Sequence, residues 1–346
     1  MSFCTEPWSN LFLRNSGRIQ PCCMNSTFLG DIHTDSLDNV WNGEKIQNIR
    51  KLVMEHRYKE AGCKDGCSII YELTNQTEKE LIPNQWKSAC VSNPSLKDNI
   101  EKFSDDVKKH NVVASCKPIT FDIQPIEACN MSCIMCHQKH NNKDKVSVEV
   151  INKLFQYKDH LYSIRFQGGE VFADKAFSQY LINLKKNLTL NQKIDVITNG
   201  SLLSHEELDV LTQGDNPINF IISMDAIDKD IYQYIRQTKH FDKVKGNIEY
   251  LAKLQKDKNN GEFLSWNFVV MKSNFYNIKP AIELAANLNV TLNFGPIIGD
   301  YKKENIFEYN ELVESDYEQY LKEALELKNS LNAKVNNLET IIKKLF

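Results

Sequence analysis

Cys129-Asn130-Met131-Ser132-Cys133-Ile134-Met135-Cys136 follows closely on the β-rich run Ile119-Thr120-Phe121-Asp122-Ile123. The three cysteines are separated by three and by two residues, so one short loop after one strand offers three thiolates. A four-iron cluster normally takes a thiolate on every iron, and three would leave one iron open to another ligand. If the strand belongs to a barrel, the loop leaves its C-terminal end, the face on which barrel enzymes place their active sites. Two other readings compete on the residues alone. Zinc completed by His137 or His140 would give a Cys3His set, although adjacent Cys136 and His137 strain a shared tetrahedron. Buried free thiols are the other.

Working outward, β-rich runs alternate with helical apolar spacing. The runs are Ile119 to Ile123, Ser163 to Gln167, Lys193 to Thr198, Asn219 to Ser223, Leu264 to Val270 and Thr291 to Phe294. Between them, Val148 to Tyr157, Ala176 to Leu188, His205 to Leu211, Val244 to Leu254 and Ile278 to Leu288 carry helical periodicity. Parallel strands joined by right-handed helical crossovers form an open or closed barrel or a doubly wound sheet. Six units fall short of the closed eight-fold barrel. The expected division is residues 1–71 as a small cysteine-rich domain, 72–115 as a connector, 116–300 as the βα domain and 301–346 as a helical extension. In the first domain one helix is expected from Leu37 to about Arg57. In the connector a weak helical pattern runs from Asn99 to Lys109. In the extension Leu321, Leu325, Leu327, Leu331 and Val335 mark one or two amphipathic helices, either packed on the barrel or holding a partner.

Composition narrows the partners. The 346 residues carry a formal charge of −3 and 42% hydrophobic residues, ordinary for a globular protein and without the basic field that draws a chain onto nucleic acid or anionic lipid. The opening Met1-Ser-Phe-Cys-Thr-Glu-Pro7 shows no basic stretch before an apolar segment, and no apolar run spans a bilayer. A cytoplasmic location is expected. All ten cysteines lie before residue 137, and in a reducing compartment clustered cysteines bind metal more often than they pair.

The three-cysteine spacing with a βα pattern downstream resembles the radical S-adenosylmethionine (SAM) superfamily. That resemblance implies a partial (βα)6 TIM-like barrel of the α/β class. It implies a 4Fe-4S cluster on Cys129, Cys133 and Cys136 whose open iron takes SAM through its amino and carboxylate groups. Family members usually have an aromatic residue before the third cysteine, where this chain has Met135. Gly168-Gly169-Glu170, after the second strand of the repeat, is similar to the element that holds the methionyl ammonium. Independently, paired glycines allow close backbone approach and a carboxylate suits an amine. By the same resemblance Asn199 and Ser223, ending the third and fourth strands, contact the ribose or methionyl portion, and Arg236 meets the methionine carboxylate. Asp225 is a helix cap or a ligand.

Nearer the N-terminus come Cys4, Gly17, Cys22 and later Cys63-Lys-Asp-Gly-Cys67. Gly17 to Cys22 reads as a hairpin, in which glycine supplies the turn. The order resembles twitch and SPASM auxiliary-cluster domains, although these usually follow the radical SAM core and close with a tighter cysteine pair. The resemblance implies a second, auxiliary 4Fe-4S cluster on Cys4, Cys22, Cys63 and Cys67. A structural zinc on the same four is the competing reading, and adjacent Cys23 is an alternative to Cys22. Cys90 and Cys116 match no pattern and read as plain thiols, with a hydrogen-donating role as the sharper alternative for Cys116.

The function so implied is reductive cleavage of SAM to a 5′-deoxyadenosyl radical that takes hydrogen from a C–H bond. The auxiliary cluster would assist oxidation or bond formation on a peptide or protein substrate. The alternative within the class is a dehydrogenase of a sugar, nucleotide or other small molecule. Outside it stands a noncatalytic zinc or electron-transfer protein. An external one-electron donor such as flavodoxin or ferredoxin is an expected partner; nucleic acid and membrane are not.

Overall fold

Strict alternation in the βα region puts one face of each strand against helices and leaves the other polar. The structure, a computed structural model, follows that alternation in burial: Phe220, Ile222, Trp266, Phe268, Leu292 and Phe294 are buried, while Ile221, Ser223, Asn267, Val269 and Asn293 at the alternate positions are half-buried. It describes residues 3–74, 80–138, 142, 144–188, 192–214, 217–258 and 261–346. Among these lie ten strands: β1 (Asn10–Leu13), β2 (Arg18–Gln20), β3 (Gly30–Asp31), β4 (Thr120–Ile123), β5 (Ser163–Phe166), β6 (Lys193–Thr198), β7 (Asn219–Ser223), β8 (Leu264–Val270), β9 (Thr291–Pro296) and β10 (Val335–Asn336). β4 to β9 are the six strands of the expected repeat. The fold is α/β, a partial barrel with an N-terminal cysteine-rich region and a C-terminal helical extension. Among the described residues no helix is long and apolar enough to cross a membrane.

Contacts divide the chain into two compact units, Met1–Ala128 with Asn142–Asp195, and Cys129–Asn141 with Val196–Phe346. In the first unit β1 lies parallel to β4 with Asn10 opposite Thr120, and β4 parallel to β5 with Thr120 opposite Ser163. β2 and β3 continue antiparallel from β1. The cysteine-rich region is therefore joined to the barrel strands through β1, and helices Asn84–Ala89 and Pro94–Lys108 of the expected connector lie in the same unit. The hairpin turn is made by Gly17 at φ +87°, where a Cβ would stand 2.5 Å from the His33 ring. The single helix expected over 37–57 is two, Leu37–Asn42 and Glu44–Met54. Gly43 between them is extended, and a Cβ there would lie 2.5 Å from the Asn39 carbonyl oxygen.

Those two helices close over a buried guanidinium. Arg50 lies beside the rings of Trp8 and Trp41 and donates to the carbonyls of Pro7 (3.0 Å), Trp41 (2.9 Å) and Val112 (2.8 Å) and to Asn42 Oδ1 (2.9 Å). Neighbouring Cys116 is buried, with its thiol donating to the Trp8 carbonyl at 3.3 Å and its own carbonyl accepting from Trp41 Nε1 at 2.6 Å. That is the setting of a packed thiol. In the second unit β7, β8, β9 and β10 run parallel in that order. Helix Tyr317–Ser330 of the extension packs on helix Ile278–Leu288, with Tyr317 stacked on Phe275 at 3.6 Å. The extension is thus barrel packing, although Leu331 remains exposed.

Replacing Arg50 by Met keeps the volume and removes four hydrogen bonds, two of them to the buried carbonyls of Pro7 and Trp41. With unsatisfied buried groups costing about 1–3 kcal/mol each, the expected loss is at least ~3 kcal/mol. A urea titration followed by tryptophan fluorescence checks it as a lower midpoint at unchanged slope. Arg50→Lys should recover little, because one ammonium cannot span the acceptors of a guanidinium fork.

Candidate functional site

The loop Cys129–Cys136 is fastened at each stretch by backbone and side-chain bonds within the second unit. At its start, Asn199 Nδ2 donates to Asn130 Oδ1 (2.9 Å) and to Cys129 Sγ (3.8 Å), and Asn130 Nδ2 donates to Ser201 Oγ (2.9 Å). Asn199 Oδ1 accepts from the Ser201 N–H and hydroxyl at 2.9 and 2.7 Å. In the middle, the Ile134 N–H donates to the Ile235 carbonyl at 2.9 Å. Towards its end, Tyr301 Oη donates to the Met135 carbonyl at 2.7 Å. Ile134 and Met135 pack against Ile235, Met271 and Ile297, with Phe307 and Tyr301 alongside. Met135, at the position where relatives carry an aromatic residue, is anchored in this apolar cluster.

The charged part of this unit is a buried ion pair. Asp225, just past β7, is fully buried; it accepts from the Val269 N–H at 2.8 Å and meets Arg236 Nη2 at 2.6 Å. Asp228, not Asp225, caps helix Lys229–Arg236 by accepting from the Asp230 and Ile231 N–H groups. Arg236 Nη1 also donates to Cys133 Sγ at 3.7 Å. Burial alone would lower the Arg236 pKa, but Asp225 and Cys133 raise it above the ordinary value, while burial raises the Asp225 carboxyl and Arg236 opposes that rise. Burial pushes the Cys133 thiol up while Arg236 pulls it back. Arg236 is therefore engaged by protein on two sides. Ser223 ends β7, half-buried and opposite Asn267.

In the first unit, Gly168-Gly169-Glu170 lies against the segment leading into the cysteine loop. The Gly169 N–H donates to the Ile126 carbonyl (3.0 Å) and the Glu170 N–H to the Ala128 carbonyl (2.9 Å). A Cβ on Gly168 would stand 2.3 Å from the Ile126 oxygen, and one on Gly169 2.1 Å from the Ala128 oxygen. Only glycine permits that approach. The Glu170 carboxylate is buried and accepts from the Phe172 N–H at 3.2 Å.

The N-terminal thiols also gather in the first unit. Cys4 lies within electrostatic reach of Cys63 and Cys67, Cys22 of Cys4 and Cys23, and Cys63 of Cys67. Burial pushes the Cys4, Cys22 and Cys63 thiols up, so filling this site with metal must expel protons. Asn25 Nδ2 donates to Cys63 Sγ at 3.7 Å, and Gly62, before that cysteine, holds φ +84° with Thr27 Oγ1 2.4 Å from any added Cβ. Tyr58 stands beside Cys4, Cys63 and Cys67. Cys23 is exposed, and Cys90 follows helix Asn84–Ala89 as a half-buried thiol.

Side-chain N–H groups on Cys129, Cys133 and Cys63 suit iron–sulfur ligation, in which hydrogen bonds to sulfur tune the cluster. Among the described residues no three His, Cys, Asp or Glu side chains converge as a single-ion site would require. His140, offered as a zinc ligand, lies outside the described residues; His137 is exposed. Asn130, Ser201, Tyr301, Tyr58 and Asn25 escaped sequence reading. Only Asn130, inside the cysteine loop, had a position to suggest it.

These features define a partial-barrel protein with a three-cysteine loop in the second unit and a cysteine-rich region in the first. The radical SAM superfamily matches residues 123–272, and an iron–sulfur cluster-binding SPASM domain matches residues 4–68. The chain belongs to the radical SAM superfamily and carries an auxiliary cluster domain, with 4Fe-4S clusters and SAM as its cofactors. No curated protein matches the chain. Among solved structures, SuiB of Streptococcus suis bound to precursor peptide SuiA is similar at 14% identity and a TM-score of 0.51, covering 94% of this chain and 70% of that one. SuiB bound to S-adenosylmethionine is similar at 16% identity and a TM-score of 0.50, over 87% of this chain and 64% of that one. At these identities the likeness is one of fold.

Tyr301→Phe removes one buried tether, about 1 kcal/mol, without disturbing the apolar packing. The expected result is faster loss of iron from the reconstituted protein to a chelator, by roughly fivefold if the tether acts fully on loop opening. Absorbance of the cluster against time measures it.

Proposed function

We propose that the enzyme removes a hydrogen atom from a C–H bond of a peptide or protein, and that its auxiliary cluster takes up an electron as the substrate is oxidised or bonded. The observation that carries this reading is the match of residues 4–68 to an iron–sulfur cluster-binding domain, in which Cys4, Cys22, Cys63 and Cys67 would be the four ligands, in addition to the three-cysteine loop. A cluster with all four irons ligated by protein has no open site for substrate, which suits it to electron transfer. When bound, SAM on the three-cysteine cluster supplies the hydrogen-abstracting radical on reduction. Similarity in fold to a protein crystallised with a precursor peptide supports a peptide substrate.

The chain's own groups then have separable tasks. Cys129, Cys133 and Cys136 hold the reducible cluster. Gly168 and Gly169 bring backbone close to the methionyl amine, and the Glu170 carboxylate balances its charge. Asn199 and Ser223, at the ends of β6 and β7, orient the ribose and methionyl portion. A flavodoxin or ferredoxin delivers the single electron.

Anaerobic reconstitution should give a brown protein with about eight irons per chain, from two four-iron clusters. With dithionite it should form 5′-deoxyadenosine. Cys133→Ala should abolish that product and leave about four irons. Cys63→Ala should retain SAM cleavage yet lose substrate turnover. A colourless, zinc-loaded protein would refute the proposal; cleavage lost equally in both variants would refute the division of labour.

A further inference from the structure

The pair Asp225–Arg236 is costlier than fold stability requires. Two charges are buried together, and replacing such pairs by apolar residues is often neutral or stabilising. Helix Lys229–Arg236 already has its Asp228 cap and its apolar anchors Tyr232 and Ile235. What the pair adds is an oriented guanidinium whose Nη1 donates to Cys133 Sγ at 3.7 Å while Nη2 is held by Asp225 at 2.6 Å.

Two further buried polar atoms stand in this neighbourhood without a hydrogen-bond partner among the described residues, Arg236 Nε and Tyr232 Oη. Tyr232 is fully buried and within electrostatic reach of Arg236, Asp225 and Cys133. Buried donors are almost always satisfied, so two unsatisfied donors within electrostatic reach of the Asp225–Arg236 pair suit acceptors that arrive with a ligand. The sulfur atoms of an iron–sulfur cluster are such acceptors, and hydrogen bonds to sulfur and local charge set cluster potentials.

We propose that Asp225, Arg236 and Tyr232 form a device that sets the reduction potential of the SAM-binding cluster. Arg236 and Tyr232 donate towards Cys133 and the cluster sulfurs, and Asp225 orients the guanidinium and moderates its charge. This rests on the cluster ligation proposed above and gives Arg236 a different task from binding the methionine carboxylate. The sign follows from charge. Reduction adds one negative charge to the cluster, so a nearby cation and hydrogen-bond donors favour the reduced form, and a nearby carboxylate opposes it. All three are positioning residues, acting on the cluster through Cys133 and its surroundings.

The test is a potentiometric titration of the reconstituted protein, followed by the paramagnetic resonance signal that changes shape when SAM is added. At a fixed potential near the wild-type midpoint, Arg236→Gln should lower the ratio of reduced to oxidised cluster about tenfold, equivalent to 59 mV for one electron. Tyr232→Phe should lower it about two- to threefold, whereas Asp225→Asn should raise it. Opposite shifts from the two halves of one ion pair are not what loosened packing would give. Should Arg236→Gln fail to load iron, Tyr232→Phe and Asp225→Asn decide the matter. Ratios within twofold of wild type in both, or shifts of the same sign, would overturn the inference while leaving the proposed function standing. A wild-type protein with no SAM-responsive signal would overturn both.

Discussion

The buried contact of Arg236 with Asp225 is the constraint on which the setting of the cysteine loop depends. It joins the end of β7 to the end of helix Lys229–Arg236, and that helix end in turn holds the cysteine loop, through the Ile235 carbonyl and through Cys133 Sγ. A loop with three thiols of like chemistry has no apolar mass of its own to fold around. It is ordered only because neighbouring elements supply bonds at Asn130, Ile134 and Met135 and an apolar seat for Ile134 and Met135. The charges in this arrangement are costly in isolation and tolerable together, because each satisfies the other and a third partner besides.

In the first unit the same problem is solved differently. Cys4 precedes β1, Cys22 follows β2, and Cys63 and Cys67 flank a turn after helix Glu44–Met54. Their gathering depends on the hairpin turned by Gly17, on the bridge between Asn25 and Cys63, and on the helix pair locked by Arg50 under Trp8 and Trp41. Arg50 does for this region what Arg236 does for the other, offering several donors in a fixed fork to acceptors that would otherwise be stranded. The difference lies in the acceptors. Around Arg50 they are carbonyls, and the role is structural; around Arg236 one is a sulfur at the candidate cluster.

Strand positions were legible because period-two alternation is strong in β6 to β9, where an apolar face meets helices and a polar face does not. Expected and observed strands agree within a residue or two. The cysteine motifs and Gly168-Gly169-Glu170 were equally legible, since spacing and glycine pairs are local properties. The break at Gly43 was missed because apolar spacing runs through it, and steric crowding at Asn39 is invisible in periodicity. The parallel pairing of β1 with β4 was missed because the two strands are far apart in sequence and nothing local encodes their register. Tyr301 and Ser201 went unnoticed for the same reason: hydroxyls in loops carry no pattern.

The sequence by itself determined the α/β class, the strand repeat and the spacing of the cysteines, because these depend on period and spacing along the chain. Only the tertiary structure decided which groups touch those thiols. It placed Asn199 on Cys129, Arg236 on Cys133 and Asn25 on Cys63, and it put Asp225 beneath Arg236 rather than at a helix cap. Hydrogen bonds and ion pairs act over a few ångströms in space, and partners such as Asn199 and Cys129, 70 positions apart, reach that range only after the strands have packed.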